Sequence, residues 1–343
     1  MHQKRKNMRR YPWLLLLLAL LLPSGARAQY TPDTLGAGYE QRTFRMADDY
    51  EGEVVCTLVR KRAADSTRQA ILYLHGYNDY FFQRALGDTA NARGFHFYAL
   101  DLRKYGRSIR PHQDPFNCRS LREYFADLDT ALATVRAEGN ERVWLMAHST
   151  GGLIVSYWLA EKGGRCPVEG IVLNSPFLDW NFGGLMERVA LPVVAWLGSH
   201  FPDWEVQGAG REISGYAQSL LRAFHGEWDY DTRWKMSLGH PKKAGWIGAI
   251  EEAQQRVQQG IATDIPILVL SSDRSSPERP VWDDSYLRSD IVLDVEDIQR
   301  YGAKLGKRVT RDTVAGGIHD LILSPRPARD RAYRVMFDWL KQQ

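Results

Sequence analysis

One serine has the sequence context of an enzymatic nucleophile. Ser149 follows the apolar run 143–146 and precedes Gly151 and Gly152, which predicts a strand, a sharp turn and a helix. A turn of the form small-x-Ser-x-Gly needs small residues two positions before and two positions after the serine. Ala147 and Gly151 meet this need. Because the turn lifts the hydroxyl clear of the sheet, a substrate and a histidine base can both reach it. The sequence therefore predicts a serine nucleophile.

A histidine and two backbone amides complete the predicted chemistry. His319 lies far downstream, after a strand-like run at 308–314, and acidic residues lie between it and the serine. The order serine, acid, histidine is that of α/β-hydrolases. The apolar run 70–74 leads into a His-Gly-Tyr turn, where such enzymes present a backbone N–H to the oxyanion. We predict His319 as the base and the amides of Tyr77 and Thr150 as the oxyanion donors.

These motifs resemble the monoacylglycerol lipase and lysophospholipase-like branch of the α/β-hydrolases, which is also called serine aminopeptidase-like. The resemblance covers residues 40–343 and includes the turn at 101–108. Two residues depart from the family pattern: Ala147 replaces the usual glycine, and Lys104 replaces the first glycine of the Asp-x-Arg-Gly-x-Gly-x-Ser turn. The resemblance implies a Ser-His-Asp triad, an acyl-enzyme and no cofactor. No spacing typical of metal ligands is present, so we predict no metal.

The third member of the triad has two candidates. Asp273 directly follows the predicted strand 265–270, whereas Asp290 lies beyond a segment, 275–288, that resembles an insertion. Asp290 is followed by apolar residues and then by a predicted helix with Asp294 as its cap, which resembles the acid loop of the family. The chain between Asp290 and His319 has room for that helix and one strand. We favour Asp290 and predict that Asp273 orders its own turn by local hydrogen bonds.

Predicted strands and helices alternate along the chain after the N-terminal segment. Strands are expected at 54–61, 69–74, 94–102, 143–146 and 170–174. A helix is expected at 120–136, where Ser120 and Glu123 form a capping box, and a last helix follows Ser324 as cap and Pro325 in the first turn. This alternation predicts an α/β-hydrolase fold, with a mainly parallel sheet flanked by helices.

The alternation is interrupted by an aromatic-rich stretch at 181–263, which we call the cap segment because the family inserts its cap there. The hydrolase core would then comprise residues 29–180 and 264–343. Aromatic side chains of the cap segment either line an apolar tunnel for an acyl chain or form the core of the cap itself. They are Phe182, Trp196, Phe201, Trp204, Phe224, Trp228, Tyr230, Trp234 and Trp246.

The N-terminal segment 1–28 resembles a secretory signal. It has a basic start, an apolar run at 13–22 and an Ala-Arg-Ala sequence before Gln29, which predicts cleavage there and export of the mature chain. An uncleaved anchor is the alternative, although the apolar run is shorter than the ~20 residues of a spanning helix. Without the basic leader, the formal charge of +4 becomes slightly negative, and no basic stripe suggests nucleic-acid binding.

The three cysteines give no disulfide framework. Cys56, Cys118 and Cys166 could form at most one bridge and would leave one thiol over. We predict no essential disulfide.

We predict an exported carboxylic ester hydrolase that acts on small acyl esters or lipid-like substrates, with transient contact with a membrane or micelle surface. A serine aminopeptidase of the same fold is the alternative, because acidic residues of the cap segment could bind a free amino terminus. They are Asp203, Glu205, Glu212, Glu227, Asp229 and Asp231. A non-catalytic binding protein of hydrolase fold is a third hypothesis, although such proteins typically lose a triad residue.

Overall fold

The computed structural model describes residues 29–182 and 190–343. The predicted signal segment 1–28 lies outside these residues. Within the described ranges, no helix has the length and apolar character that crossing a membrane requires.

A nine-stranded sheet forms the centre of the molecule. Its spatial order is β1-β2-β3-β5-β4-β6-β7-β10-β11, and all neighbours from β5 to β11 are parallel. Strands β1, β2 and β3 extend one edge in antiparallel fashion. The strands are β1 (Thr31–Pro32), β2 (Glu40–Arg45), β3 (Val55–Lys61), β4 (Gln69–Leu74), β5 (His96–Asp101), β6 (Arg142–His148), β7 (Gly170–Asn174), β10 (Ile267–Ser272) and β11 (Val309–Val314).

Helices cover both faces of the sheet. The helices are α1 (Arg84–Asn91), α2 (Phe125–Ala137), α3 (Thr150–Glu161), α4 (Leu191–His200), α5 (Gly215–Leu220), α6 (Ala244–Gln258), α7 (Val295–Gly302) and α8 (Arg326–Gln342). Successive residues of a strand point to opposite faces of the sheet. Leu72 and Leu145 belong to an apolar core with α2, α3 and α6, whereas Ile71 and Trp144 belong to a second core with α1 and α8. A parallel sheet buried on both faces explains why its strands are continuously apolar.

The predicted fold class is confirmed, and the ends of the predicted strands lie within two residues of the observed ones. Ser120 and Glu123 form the predicted capping box, but the first turn is a 3-10 helix, Leu121–Tyr124, that leads into α2. The prediction for the last helix is wrong in one respect. Pro325 occupies the N-cap of α8, and the Ser324 hydroxyl instead accepts a hydrogen bond from the Ile318 amide at 3.0 Å.

Lys104 adopts the backbone conformation that explains the family's glycine at this position. Its φ is +64°, a left-handed value that costs a residue with a side chain about 1 kcal/mol or more. The Lys104 side chain is fully buried, and its ammonium lies 2.8 Å from Asp49 and 3.1 Å from Glu51. These two carboxylates pair with the buried ammonium. The turn at 101–108 forms with lysine in place of the family's glycine.

The cap segment holds α4, α5, α6 and a small antiparallel pair, β8 (Glu205–Gln207) with β9 (Lys242–Lys243). Its aromatic residues do not share one environment. Trp246 is buried, whereas Trp196 and Phe201 are 62% and 63% exposed. Trp228, Tyr230 and Trp234 pack against the second core. The domain boundaries at 180/181 and 263/264 stay predictions.

Candidate active site

Ser149 lies in a strained turn between β6 and α3. Its φ is +53° and its ψ is −121°, a combination that costs of order 1–3 kcal/mol. The turn is possible because Gly151 has no side chain: a Cβ there would meet the His75 carbonyl oxygen at 2.3 Å. The Ser149 amide donates to the carbonyl of Asn174 at the end of β7, at 3.0 Å. Packing therefore holds the strained serine in place.

His319 is in direct contact with Ser149. Its Nε2 lies 2.9 Å from Ser149 Oγ, and both residues are at least nine-tenths buried. The loop after β11 that carries His319 is fixed on either side of the histidine. Ser272 Oγ donates to the Gly317 carbonyl at 2.7 Å, and the Ile318 amide donates to Ser324 Oγ at 3.0 Å. The ring can thus accept a proton from the serine without rearranging.

Asp290 occupies the other side of the histidine ring. Its Oδ2 lies 2.9 Å from His319 Nδ1, and its Oδ1 accepts the amides of Val292 and Leu293, each at 2.8 Å. Asp290 pairs with Ser275 in an isolated parallel β-bridge. The segment between these two residues therefore forms a loop that returns close to the end of β10. This loop explains why Asp290 lies close to His319 despite the insertion.

Asp273 has a different environment. Its Oδ1 accepts the amide of Gly316 at 3.0 Å, and its Oδ2 lies 2.7 Å from the Arg274 guanidinium. Burial acts to raise the pKa of Asp273, but the hydrogen bonds from Arg274 and Gly316 outweigh it, so that the pKa lies below its ordinary value. The Arg274 contact is local, as the sequence predicted, whereas the Gly316 contact joins residues 43 positions apart.

Both predicted oxyanion donors belong to turns that adjoin the serine. Thr150 begins α3, and Tyr77 follows Gly76, where a Cβ would meet Ser149 Cβ at 3.0 Å. Within the residues that the structure describes, neither the Tyr77 amide nor the Thr150 amide donates to a protein acceptor. Both are therefore available to a ligand atom beside Ser149.

His75 and His148, the other histidines close to the serine, have structural contacts. His75 Nδ1 lies 2.8 Å from the Gly76 carbonyl, and its Nε2 accepts the Leu102 amide at 3.2 Å. His148 Nδ1 lies 3.2 Å from the Asn174 carbonyl. Burial lowers the pKa of His148 and favours its neutral form.

Asp79, His148 and Asp320 form a buried polar cluster behind His319. Each residue has one potential ligand atom within 4.8 Å of the others, the geometry from which metal sites are built. The ammonium of Lys235 lies 2.9 Å from Asp79 and already supplies positive charge to this cluster. That charge disfavours a divalent cation there.

The family assignment follows from the sequence profile described as "Serine aminopeptidase, S33", which matches residues 65–276. The chain belongs to this family. The matched range includes Ser149 and Tyr77 but ends before Asp290 and His319, so those two positions rest on the geometry above. The family resemblance seen in the sequence is confirmed.

One curated relative of this S33 family member is phospholipase YtpA of Bacillus subtilis (strain 168). It is 30% identical over 117 residues, which are 34% of this chain and 43% of the relative's length. The aligned region thus spans less than half of that protein.

Solved structures share the α/β-hydrolase fold at low sequence identity. A soluble variant of monoglyceride lipase from Saccharomyces cerevisiae has a TM-score of 0.67 at 14% identity, with 93% of this chain and 98% of that chain covered. Monoacylglycerol lipase from Paleococcus ferrophilus has a TM-score of 0.60 at 19% identity, with coverage of 82% and 98%. A thermostable carboxyl esterase from Bacillus coagulans has a TM-score of 0.60 at 14% identity, with coverage of 88% and 98%.

Sequence reasoning missed Asn174, which joins the serine turn to the histidine loop. Its carbonyl accepts the Ser149 amide, and its side chain donates to Asp320 at 2.7 Å and accepts the Leu321 amide at 3.2 Å. A polar residue at the end of the apolar strand β7 was the available signal. Its partners become apparent only in the S33 fold, because they are distant in sequence.

Tyr216 of the cap segment was also missed. Its ring contacts the His319 ring edge to face, with centroids 5.5 Å apart. Nothing in the local sequence distinguishes it from the other aromatic residues of the cap segment. The cap segment therefore contributes directly to the walls of this S33 site.

Proposed function

We propose that this chain is a serine hydrolase that cleaves carboxylic esters through an acyl-enzyme. The observation that carries the proposal is the continuous contact from Ser149 Oγ through His319 to Asp290, at 2.9 Å for each step. A hydroxyl, an imidazole and a buried carboxylate in this order are the parts that acyl transfer needs.

In the first step, His319 Nε2 takes the proton of Ser149 as Oγ bonds to the ester carbonyl carbon. The carbonyl π electrons move to oxygen, and the amides of Tyr77 and Thr150 stabilise the oxyanion. The imidazolium then gives its proton to the leaving alcohol as the carbon–oxygen bond breaks. In the second step, His319 takes a proton from a water molecule as the water oxygen bonds to the acyl carbon. The proton then passes to Ser149 Oγ as the acyl bond breaks, which releases the acid and the free serine.

Asp290 stabilises the imidazolium and holds its tautomer. Its Oδ1 is occupied by two backbone amides, which fix the carboxylate and leave Oδ2 for His319. Complete burial of Asp290 strengthens the attraction to the imidazolium.

Aromatic side chains beside Ser149 favour a lipid-like acyl substrate. The rings of Tyr77 and Trp246 are in contact, with their centroids 4.5 Å apart. The Trp180 ring lies against both Trp246 and Phe177, at centroid distances of 6.1 Å and 5.0 Å. The Phe177 amide donates to the Ser149 carbonyl at 3.0 Å, so the backbone of this aromatic group is joined to the serine turn. Apolar walls of this kind bind acyl chains.

Contact with a membrane or micelle surface is part of the same proposal. Large apolar side chains on and after α4 are more than half exposed, which gives the cap segment an apolar outer face. They are Val193, Trp196, Phe201 and Trp204. The activities named for the monoglyceride lipases and the phospholipase relative agree with such a substrate class.

The aminopeptidase alternative needs free acids in the cap segment, and four of the six candidates have arginine partners. The pairs are Asp203 with Arg119, Glu227 with Arg329, Asp229 with Arg222 and Asp231 with Arg233. This pairing leaves little negative charge for a substrate ammonium group. It therefore favours ester hydrolysis over aminopeptidase activity.

A substrate panel tests the proposed function. Purified protein is offered para-nitrophenyl esters of graded chain length, a monoacylglycerol, a lysophospholipid and aminoacyl anilides. We expect turnover of esters, with a preference for chains long enough to contact Trp246, and no turnover of anilides above the Ser149→Ala background. Faster anilide turnover would support the aminopeptidase. No turnover and no fluorophosphonate labelling would support a binding protein.

Export is the remaining part of the proposal and rests on the leader composition. Cleavage by signal peptidase should leave Gln29 as the mature N-terminus. Intact-mass measurement of the protein from the extracytoplasmic fraction of a bacterial host checks this. An exported protein that retains Met1 would contradict cleavage, and a protein confined to the cytoplasm would contradict export.

A further inference from the structure

A buried lysine of the cap segment is ion-paired with the loop that carries the Tyr77 amide. The Lys235 ammonium lies 2.9 Å from Asp79 Oδ1, and both side chains are more than nine-tenths buried. Placing two charges in the protein interior carries a desolvation cost that their mutual attraction must repay. Asp79 is only two residues from Tyr77, so this pair connects the cap segment to the predicted oxyanion site.

Neighbouring residues reinforce the same connection. Asn78 Nδ2 donates to the Met236 carbonyl at 2.8 Å, and the Met236 amide donates to Asn78 Oδ1 at 2.7 Å. Asn78 has a φ of +48°, so these bonds hold a strained turn. The Asp231 amide donates to the Tyr80 hydroxyl at 2.8 Å. Successive residues of the oxyanion loop are therefore held by one stretch of the cap segment.

Asp79 also belongs to the buried cluster with His148 and Asp320. Asp79 Oδ2 and Asp320 Oδ2 are both buried and have no hydrogen-bond partner among the residues described, and His148 Nε2 lies 4.0 Å from the latter. The His148 ring contacts the His319 ring at a centroid distance of 4.8 Å. Without the Lys235 ammonium, the neighbouring carboxylates of Asp79 and Asp320 would have no cation paired with Asp79.

We propose that Lys235 is a positioning residue: its ion pair with Asp79 holds residues 77–79 so that the Tyr77 amide points at the oxyanion beside Ser149. The effect is on the transition state, because the amide stabilises a charge that the ground-state ester does not carry. Loss of the pair should lower kcat more than it raises KM. The proposal rests on the proposed ester hydrolysis.

Lys235→Met and the isosteric Asp79→Asn are compared with Arg233→Met. Arg233 is exposed on the same stretch and also pairs with an aspartate, so it controls for loss of one positive charge. We expect Lys235→Met and Asp79→Asn to lower kcat for a short ester about ten- to hundredfold, part of the 10²–10³ effect of losing an oxyanion donor. KM should change less than about threefold, and Arg233→Met should match the wild type.

The double variant Lys235→Met/Asp79→Asn shows whether the two single substitutions lower kcat through one shared ion pair or through two independent effects. Because both changes break one ion pair, the double variant should lose little more kcat than the worse single variant. Multiplied losses, or kcat of both single variants within about twofold of Arg233→Met, would overturn the proposal. So would a loss confined to KM.

Thermal melting and the fluorophosphonate labelling rate accompany the kinetics. If Lys235→Met does not fold, Asp79→Asn alone decides, since it preserves shape and removes only the charge. Slow labelling of a folded Asp79→Asn supports the proposal, and labelling at the wild-type rate overturns it. Failure of the proposed function is recognised separately, because the wild type itself would then neither turn over esters nor be labelled.

Discussion

Replacing Ser149 with alanine is expected to lower kcat for the preferred ester by about 10⁵- to 10⁶-fold, to the level left by binding and the oxyanion site. The alanine lacks the oxygen that bonds to the carbonyl carbon, and no other hydroxyl contacts His319 Nε2 in the described structure. At the left-handed φ of +53°, alanine has the same backbone cost as serine, because both residues carry a Cβ. The fold should therefore persist with a small change in melting temperature. Turnover is followed by product release, and folding by thermal melting.

Ser156→Ala is the matched control for this experiment. Ser156 lies in α3, the same helix that follows the nucleophile turn, and its hydroxyl donates to the Gly152 carbonyl at 2.7 Å and to no other acceptor among the described residues. We expect this variant to retain activity. If Ser149→Ala keeps turnover near the wild-type value, the serine mechanism is wrong.

The second large effect is expected from Asp290→Asn, which should lower kcat about ten-thousandfold with an intact fold. The amide of asparagine would donate to His319 Nδ1 and favour the tautomer in which Nε2 carries the proton. The ring would then be unable to accept the serine proton. Turnover measured beside thermal melting separates this effect from loss of structure.

Asp273→Asn provides the comparison for Asp290→Asn. Asp273 contacts Gly316 and Arg274 rather than His319, so its replacement should cost activity less than about tenfold, with a modest effect on melting. If Asp273→Asn lost most of its turnover while Asp290→Asn kept turnover near the wild-type value, the assignment of Asp290 as the triad acid would be wrong.

The fold and the serine turn could be predicted because their signals are local. The apolar run that forms β6, the small residue Ala147 and Gly151 all lie within a few positions of Ser149. The Ser324 cap failed for a reason that is also physical. Its hydroxyl is used by the Ile318 amide of the histidine loop, a partner that only the folded chain brings close.

The cap segment shows where local reasoning ends. Its aromatic residues look alike in sequence, yet Trp246 packs beside Tyr77 while Trp196 is mostly exposed. Nothing in the sequence pairs Lys235 with Asp79, because the two are 156 positions apart. Long-range contacts of this kind depend on tertiary packing rather than on propensity or periodicity.

The central claim, that Ser149 is an activated nucleophile, is tested most directly by mapping a fluorophosphonate adduct on the wild-type protein by peptide mass spectrometry. The serine oxygen displaces fluoride from the phosphorus of the probe while a base takes the serine proton, so an adduct marks an activated nucleophile. We predict a single stoichiometric adduct on the peptide that contains Ser149. A folded wild-type protein that acquires no adduct, or acquires it on another residue, would contradict the account.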